Sequence, residues 1–127
     1  MELQARIWTV LASLSGLMAV AAGAFGAHGV SDPQAKAWLQ TGAQYQLAHA
    51  LAVFACFALW RLGAGSAQIA AWLFLAGGLI FSGTLYLMAL GGPRSLGAVT
   101  PIGGVLLLLG WGVLAWAAAV GARSTLV

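Results

Sequence analysis

The chain has 127 residues, of which 62% are apolar before its 18 glycines are counted; 6% are charged, for a formal charge of +3. Soluble domains run at about 45–50% apolar with glycine included and about 25% charged, and a chain this short cannot hide so much apolar surface from water. The solvent is therefore lipid, which excludes a soluble enzyme, a disulfide scaffold (Cys56 stands alone), a zinc finger and, with five scattered bases, a nucleic-acid binder.

Four apolar stretches are long enough to cross a ~30 Å hydrocarbon core. The first covers about residues 7–27, between Arg6 and the break at Gly29 and Ser31-Asp32-Pro33. It is longer than the apolar core of a cleaved leader and is followed by more membrane, so it reads as a retained helix. Ser31-Asp32-Pro33-Gln34 has the residues of a helix start, a cap followed by an early proline. Residues 33–44 mix Gln34, Lys36, Trp38 and Gln40 into an apolar background, which suits a short amphipathic segment at the interface. The second span then runs over about 45–62. Gly63-Ala64-Gly65-Ser66 forms a turn, with Ser66 as cap for a third span over 67–90, which Gly91-Gly92-Pro93 stops. Thr100-Pro101 pairs a cap with a first-turn proline and opens the fourth span, 101–120. The expected fold is a single all-α membrane domain over 1–127, a four-transmembrane-helix bundle running up-down-up-down.

Charge sets the expected orientation. Arg6, Arg61 and Arg123 fall on one side and Lys36 and Arg94 on the other, which places both termini in the cytoplasm. Trp8, Trp60, Trp72 and Trp116 gather toward that side, while Trp38, Tyr45 and Tyr86 mark the outer surface as interfacial belts do. Small residues recur at helical spacing: Ala12, Gly16, Ala19, Gly23 and Gly26 in the first span, Gly78 and Ser82 in the third, Gly103, Gly104 and Gly110 in the fourth. In lipid such grooves supply the close van der Waals contact that holds helices together.

No Asp, Glu or Lys lies inside any span and Arg61 stands at the very end of the second, so the carboxylate that a proton-coupled exporter needs is missing. The other polar groups gather toward the outer ends: His28, Tyr45, His49, Ser82, Tyr86, Arg94 and Thr100. Tyr45 and His49, four apart, share a helical face. With a second span starting at Tyr45, His49 and Tyr86 each lie roughly 6 Å in from their helix ends, which predicts a polar pocket in the outer leaflet. Three roles stay open for it. The two imidazoles could ligate a haem or a transition metal. The histidines and tyrosines could instead hold the head of a quinone or another lipid, with Arg94 over a phosphate. Or the cluster locks helices together, His49 being satisfied by Tyr86, Ser82 or a carbonyl bared at a glycine. No cofactor is firmly implied. A nucleophile–base–orienter set is not present, so no enzyme is expected.

Gly23-Ala24-Phe25-Gly26-Ala27-His28-Gly29, Gln44-Tyr45-Gln46 with His49-Ala50-Leu51, Phe81-Ser82-Gly83-Thr84-Leu85-Tyr86 and Leu96-Gly97-Ala98-Val99-Thr100-Pro101-Ile102-Gly103-Gly104 occur in order along nearly the whole chain. In these motifs it resembles a family of small four-span membrane proteins, domain-of-unknown-function family 423, with transmembrane protein 256 as a eukaryotic relative. The resemblance implies four membrane helices in a bacterial inner membrane or a mitochondrial setting, and no activity. Fluoride channels are of similar size, but their embedded asparagine has no counterpart here, since the chain contains no asparagine. The sequence therefore favours an accessory or partner-binding protein of a bacterial plasma (inner) membrane. Its partners would be the bilayer and a larger membrane complex or a second copy of itself. The alternative is a binder of a small amphiphile (quinone, lipid or haem-like) in the outer pocket. An oligomeric channel or transporter comes third, because the inner half is poor in polar residues.

Overall fold

The computed structural model describes residues 2–121. Four helices follow one another: α1 (Leu3–His28), α2 (Pro33–Arg61), α3 (Ala67–Ala89) and α4 (Thr100–Trp116), which ends in a π-type turn, Ala117–Gly121. A short 3₁₀ helix, Arg94–Ala98, leads into α4. All four membrane stretches are long and apolar enough to cross a bilayer. One end of the bundle, the terminal end, carries Leu3, Arg61 and Ala67; the other, the loop end, carries His28, Pro33, Ala89 and Thr100. Arg123, part of the charge argument, lies outside the described residues.

The connections follow their sequence signals with instructive exceptions. Asp32 is the cap of α2, its carboxylate accepting from the Ala35 amide at 2.9 Å, with Pro33 in the first turn. The Lys36 ammonium donates to the Ala27 carbonyl at 3.1 Å, a cation placed on the negative end of the α1 dipole. Gly63 and Gly91 both adopt φ +100°, a left-handed conformation that glycine enters without steric cost. Ser66, in contrast, makes no capping bond. Thr100 is not a cap either: it is the first residue of α4, and its hydroxyl turns sideways to Thr84 of α3 at 2.6 Å. Lipid explains the preference, since a hydroxyl there gains more from a neighbouring helix than from a cap that interfacial water can replace.

The polar stretch 33–44 is continuous with the second span. Gln34 and Gln40 are exposed while Ala35, Leu39, Gly42 and Ala43 are buried, so it is amphipathic as its sequence suggests, but it packs in the bundle. At 1.5 Å per residue the 29 residues of α2 reach about 43 Å, beyond a ~30 Å core.

Packing is serial: α1 lies along α2, α2 along α3 and α3 along α4, with a smaller contact between α1 and α3. Glycines decide where backbones approach, though not always those that sequence spacing selects. A Cβ on Gly26 would meet the Leu39 Cβ at 2.9 Å, and Gly23 lies in ordinary contact with Ala43 at 3.5 Å. At the α3–α4 seam Gly103 faces the backbone of Phe81, and a Cβ there would come within 2.8 Å of the Gly77 carbonyl. Gly77 is therefore the packing glycine of α3, while its neighbour Gly78 meets nothing within 4 Å. Gly16 also meets nothing, Gly104 touches the Phe81 ring loosely at 3.8 Å, and Gly110 gives way to the Phe74 ring at 2.7 Å. One residue along a helix turns a side chain by about 100°, which separates Gly77 from Gly78 in a way sequence spacing does not resolve.

The tryptophan belt is likewise uneven. Trp8 is fully buried and meets Trp60 and Trp72 edge-on, at ring distances of 5.5 and 6.5 Å. It fills the core of the terminal end instead of facing headgroups. Gly103→Ala should lower stability in detergent by about 1–3 kcal/mol through backbone overpacking. Gly16→Ala should be neutral or stabilising by up to ~1 kcal/mol. Thermal melts followed by circular dichroism would read both.

Candidate functional site

The seven residues that sequence gathers in one outer pocket occupy several distinct places. The starting point of α2 is the reason. Because the helix begins at Pro33, His49 lies about 24 Å along it, past its middle, whereas Tyr86 stays three residues from the end of α3. The two are not at equal depth. His28 is exposed at the end of α1 and has no hydrogen-bond partner among the described residues. Arg94, also exposed, lies over the Trp38 ring at 5.8 Å. It borders a polar depression of about 580 Å³ at the loop end, with Asp32, Trp38 and Gly91 among its walls.

His49 is 8% exposed and engaged at both ring nitrogens. Nδ1 lies 2.6 Å from the Tyr45 carbonyl and Nε2 3.0 Å from the indole nitrogen of Trp111. An indole N–H only donates, so Nε2 must accept and Nδ1 carries the proton: a neutral imidazole with its tautomer fixed by geometry. No lone pair is left for a metal or haem iron, and His28 is too far away to be a second ligand. Among the described residues no three His, Cys, Asp or Glu side chains come together. The partners of His49 are thus neither Tyr86 nor Ser82. The one from α4, Trp111, was readable in principle: an indole in the interior of an apolar span needs an acceptor. Tyr45 stacks near-parallel on His49 and tilts against Phe81 at 4.6 Å; Phe74 closes the other side.

The other polar side chains join α2 to α3 and α3 to α4. The Ser82 hydroxyl, fully buried, donates to the Gly42 carbonyl at 2.7 Å. The Tyr86 ring lies on the bare Cα of Gly42, where a Cβ would meet Cε1 at 2.6 Å, and its hydroxyl donates to Gln46 Oε1 at 2.7 Å. Thr84 and Thr100 share one hydrogen between their hydroxyls, while the Leu96 and Ile80 carbonyls are in reach for the other. These bonds are interhelical glue.

One polar residue outside that set differs. Gln46 is 6% exposed, and its oxygen is taken by Tyr86, but its amide nitrogen has no partner among the described residues. Gln46 lines a lateral groove of about 310 Å³ between α1 and α3, with Leu11, Leu14, Met18 and Trp72 among its walls and Ser15 as its other polar member. Sequence placed Gln46 in a motif and not in the site, since a span starting at Tyr45 put it at the interface. The structure puts it 13 residues into a helix of 29.

Replacing Trp111 by Phe should strip His49 Nε2 of its donor and cost about 0.6–1.7 kcal/mol, seen as a lower melting temperature. In the unmodified protein, ¹⁵N spectra of labelled histidine should show one neutral Nδ1–H form for His49.

A family model described as a protein of unknown function (DUF423) matches residues 22–104. A membrane protein of Bacillus subtilis, UPF0382 membrane protein YwdK, is 40% identical over 84% of this chain and 90% of its own length. The UPF0382 inner membrane protein YgdD of Escherichia coli is 40% identical, covering 86% of each chain. A UPF0382 membrane protein of Haemophilus influenzae is 39% identical over 86% of this chain and 90% of its own. No solved structure matches.

Proposed function

Because the chain belongs to the DUF423 family of membrane proteins, whose activity is not known, its own geometry has to carry a functional reading, and we propose that it is a non-catalytic protein that holds an amphiphile of the bilayer in the groove between α1 and α3. The observation behind this is the Gln46 amide: nine-tenths buried, fixed at its oxygen by Tyr86, and left with two N–H donors at the groove. A donor without a partner in hydrocarbon costs several kcal/mol, and an accepting ligand removes that cost. Of the polar cluster expected from sequence, His49, Ser82, Tyr86 and Thr100 spend their hydrogen bonds within the bundle, while His28, Tyr45 and Arg94 are exposed and none of them lines this groove. The site is therefore lateral and mid-membrane, not an outer-leaflet pocket.

A second reading, membership in a larger membrane complex or a homo-oligomer, has one observation in its favour. Gly16 lies midway along α1, where a Cβ would meet no atom within 4 Å. A bare backbone at that position suits close approach by a helix from another chain.

Protein purified gently from its own membranes should carry a lipid-soluble molecule near one per chain by native mass spectrometry. Ala76, exposed on the groove wall, can be replaced by Phe without touching a hydrogen bond; Ala76→Phe should lose the molecule and keep its melting temperature. Retention by that variant would refute the groove. Gly16→Trp tests the second reading, which expects a complex in mild detergent to fall apart.

A further inference from the structure

Resting on the groove reading, we infer that the ligand is an uncharged lipid whose head is a hydrogen-bond-accepting carbonyl, and that Gln46 Nε2 and Ser15 Oγ bind that oxygen near the middle of the membrane.

Depth is the first argument. Ser15 lies 12 residues into α1 and 13 from its end, and Gln46 is equally central in α2; each is about 18–22 Å from either helix end. Half of a ~30 Å hydrocarbon core is about 15 Å, so both polar groups sit close to the bilayer centre. The headgroup of a phospholipid is held at the surface and cannot bring its phosphate or amine there.

Charge is the second. No Asp, Glu, Lys, Arg or His lines the groove, and the charged residues among the described ones, Glu2, Arg6, Asp32, Lys36, Arg61 and Arg94, stand at or beyond the helix ends. A phosphate, carboxylate or ammonium in the groove would be an uncompensated charge in hydrocarbon, which is prohibitive.

Donor polarity is the third. Both N–H groups of Gln46 are unspent, whereas its oxygen already accepts from Tyr86. Ser15 behaves unlike the other serine and threonine hydroxyls of α1 and α3, all of which are bonded. Thr9 folds back on the Ala5 carbonyl, Ser13 on that of Thr9, and Thr84 on that of Ile80. Ser15 has no such bond, nor any other among the described residues. Two unspent donors therefore flank one groove, and the matching ligand atom is an acceptor with two lone pairs, as a carbonyl oxygen has. The remaining walls are leucines, Met18, Ala76 and the Trp72 ring. The groove volume of about 310 Å³ is at the lower end of small-ligand pockets, so it takes a head and the start of a chain whose remainder lies in lipid. Two lipid types share this chemistry: a quinone on an isoprenoid chain, and an uncharged diacylglycerol with its ester carbonyls.

The test uses the full-length protein in nanodiscs of saturated ether-linked phosphatidylcholine, which brings no carbonyl of its own. The probes are a carbonyl-¹³C-labelled ubiquinone with a short isoprenoid tail, ¹³C-labelled dioleoylglycerol, phosphatidylglycerol, and a brominated long-chain alkane. The expected result is saturable binding of the quinone or the diacylglycerol, with its labelled C=O stretch shifted to lower frequency. Whichever of the two binds identifies the source. Affinity should fall about tenfold in Gln46→Leu combined with Tyr86→Phe, a pair that leaves no buried hydroxyl unpaired, and about three- to fivefold in Ser15→Ala. Ser15→Ala breaks no bond within the protein, so it stays informative even where the double variant folds poorly. Arg94→Gln should bind as well as the unmodified protein. Preferred binding of phosphatidylglycerol, or carbonyl probes indifferent to both variants, overturns the inference. Alkane binding that Ala76→Phe abolishes and Ser15→Ala leaves unchanged overturns the carbonyl assignment while the groove stands. No saturable binding of any probe overturns the groove reading and this inference together.

Discussion

At Gly42 the backbone of α2 is bare, and two groups of α3 use it at once: Ser82 donates to its carbonyl, and the Tyr86 ring rests on its Cα. A Cβ at that position would run into the Tyr86 ring. From this one close approach the rest of the mid-membrane arrangement follows. With its ring seated there, the Tyr86 hydroxyl reaches one turn further along α2 and takes the oxygen of Gln46. The amide is thereby fixed in one orientation, and its donors are left at the seam with α1. In water this would matter little, since solvent would satisfy whichever atom was left over. In hydrocarbon there is no such partner, so the choice of which Gln46 atom is used internally also decides which atom is left without one.

The same scarcity of partners explains His49. Its ring has two nitrogens and lies deep, so it draws a donor from α4 and a carbonyl from its own preceding turn. That arrangement ties α2 to α4 across a shell of Phe74 and Tyr45. The cost of the imidazole at depth is met by structure, which leaves it inert toward metals. Trp8 is the contrary case. Its indole N–H has no hydrogen-bond partner among the described residues, and its neighbours are the edge-on rings of Trp60 and Trp72.

The helices were legible in the sequence because glycine, proline and cap residues punctuate apolar runs whose length the bilayer dictates. The depth of the site residues was not legible, and a single boundary accounts for it. Reading residues 33–44 as a separate surface segment moved every residue of α2 outward by about three turns. Tyr45, Gln46 and His49 then looked interfacial, and Tyr86 looked level with His49. Helix continuity at this point is tertiary: Ala35, Leu39, Gly42 and Ala43 are buried, two of them against Gly26 and Gly23, while Gln34 and Gln40 remain polar. Local composition reports the exposed face and is silent about the buried one. The glycines fail for a related reason. Spacing says that some face of α3 is small, but whether Gly77 or Gly78 meets Gly103 depends on helix rotation, which only packing fixes.

A general consequence concerns which polar residues of a membrane bundle deserve a functional reading. Sequence draws the eye to histidine, tyrosine and arginine because they are rare in such a composition. Here the buried His49 and the hydroxyl of Tyr86 are paired inside the bundle, as the physics of a medium without partners requires. A group that must be satisfied for the fold to stand cannot also be kept free for a ligand. The informative residues are those whose pairing stops one bond short: an amide used at one end, and a serine that does not fold back on its own helix when Thr9, Ser13 and Thr84 all do. Both belong to residue types that look ordinary in a sequence, and they become exceptional only when every hydrogen bond around them has been assigned. Their position on one groove, at one depth, and with one donor polarity supplies three independent constraints on the same molecule. Under the reading proposed above, a ligand held there has to be uncharged, reach the bilayer centre and accept a hydrogen bond.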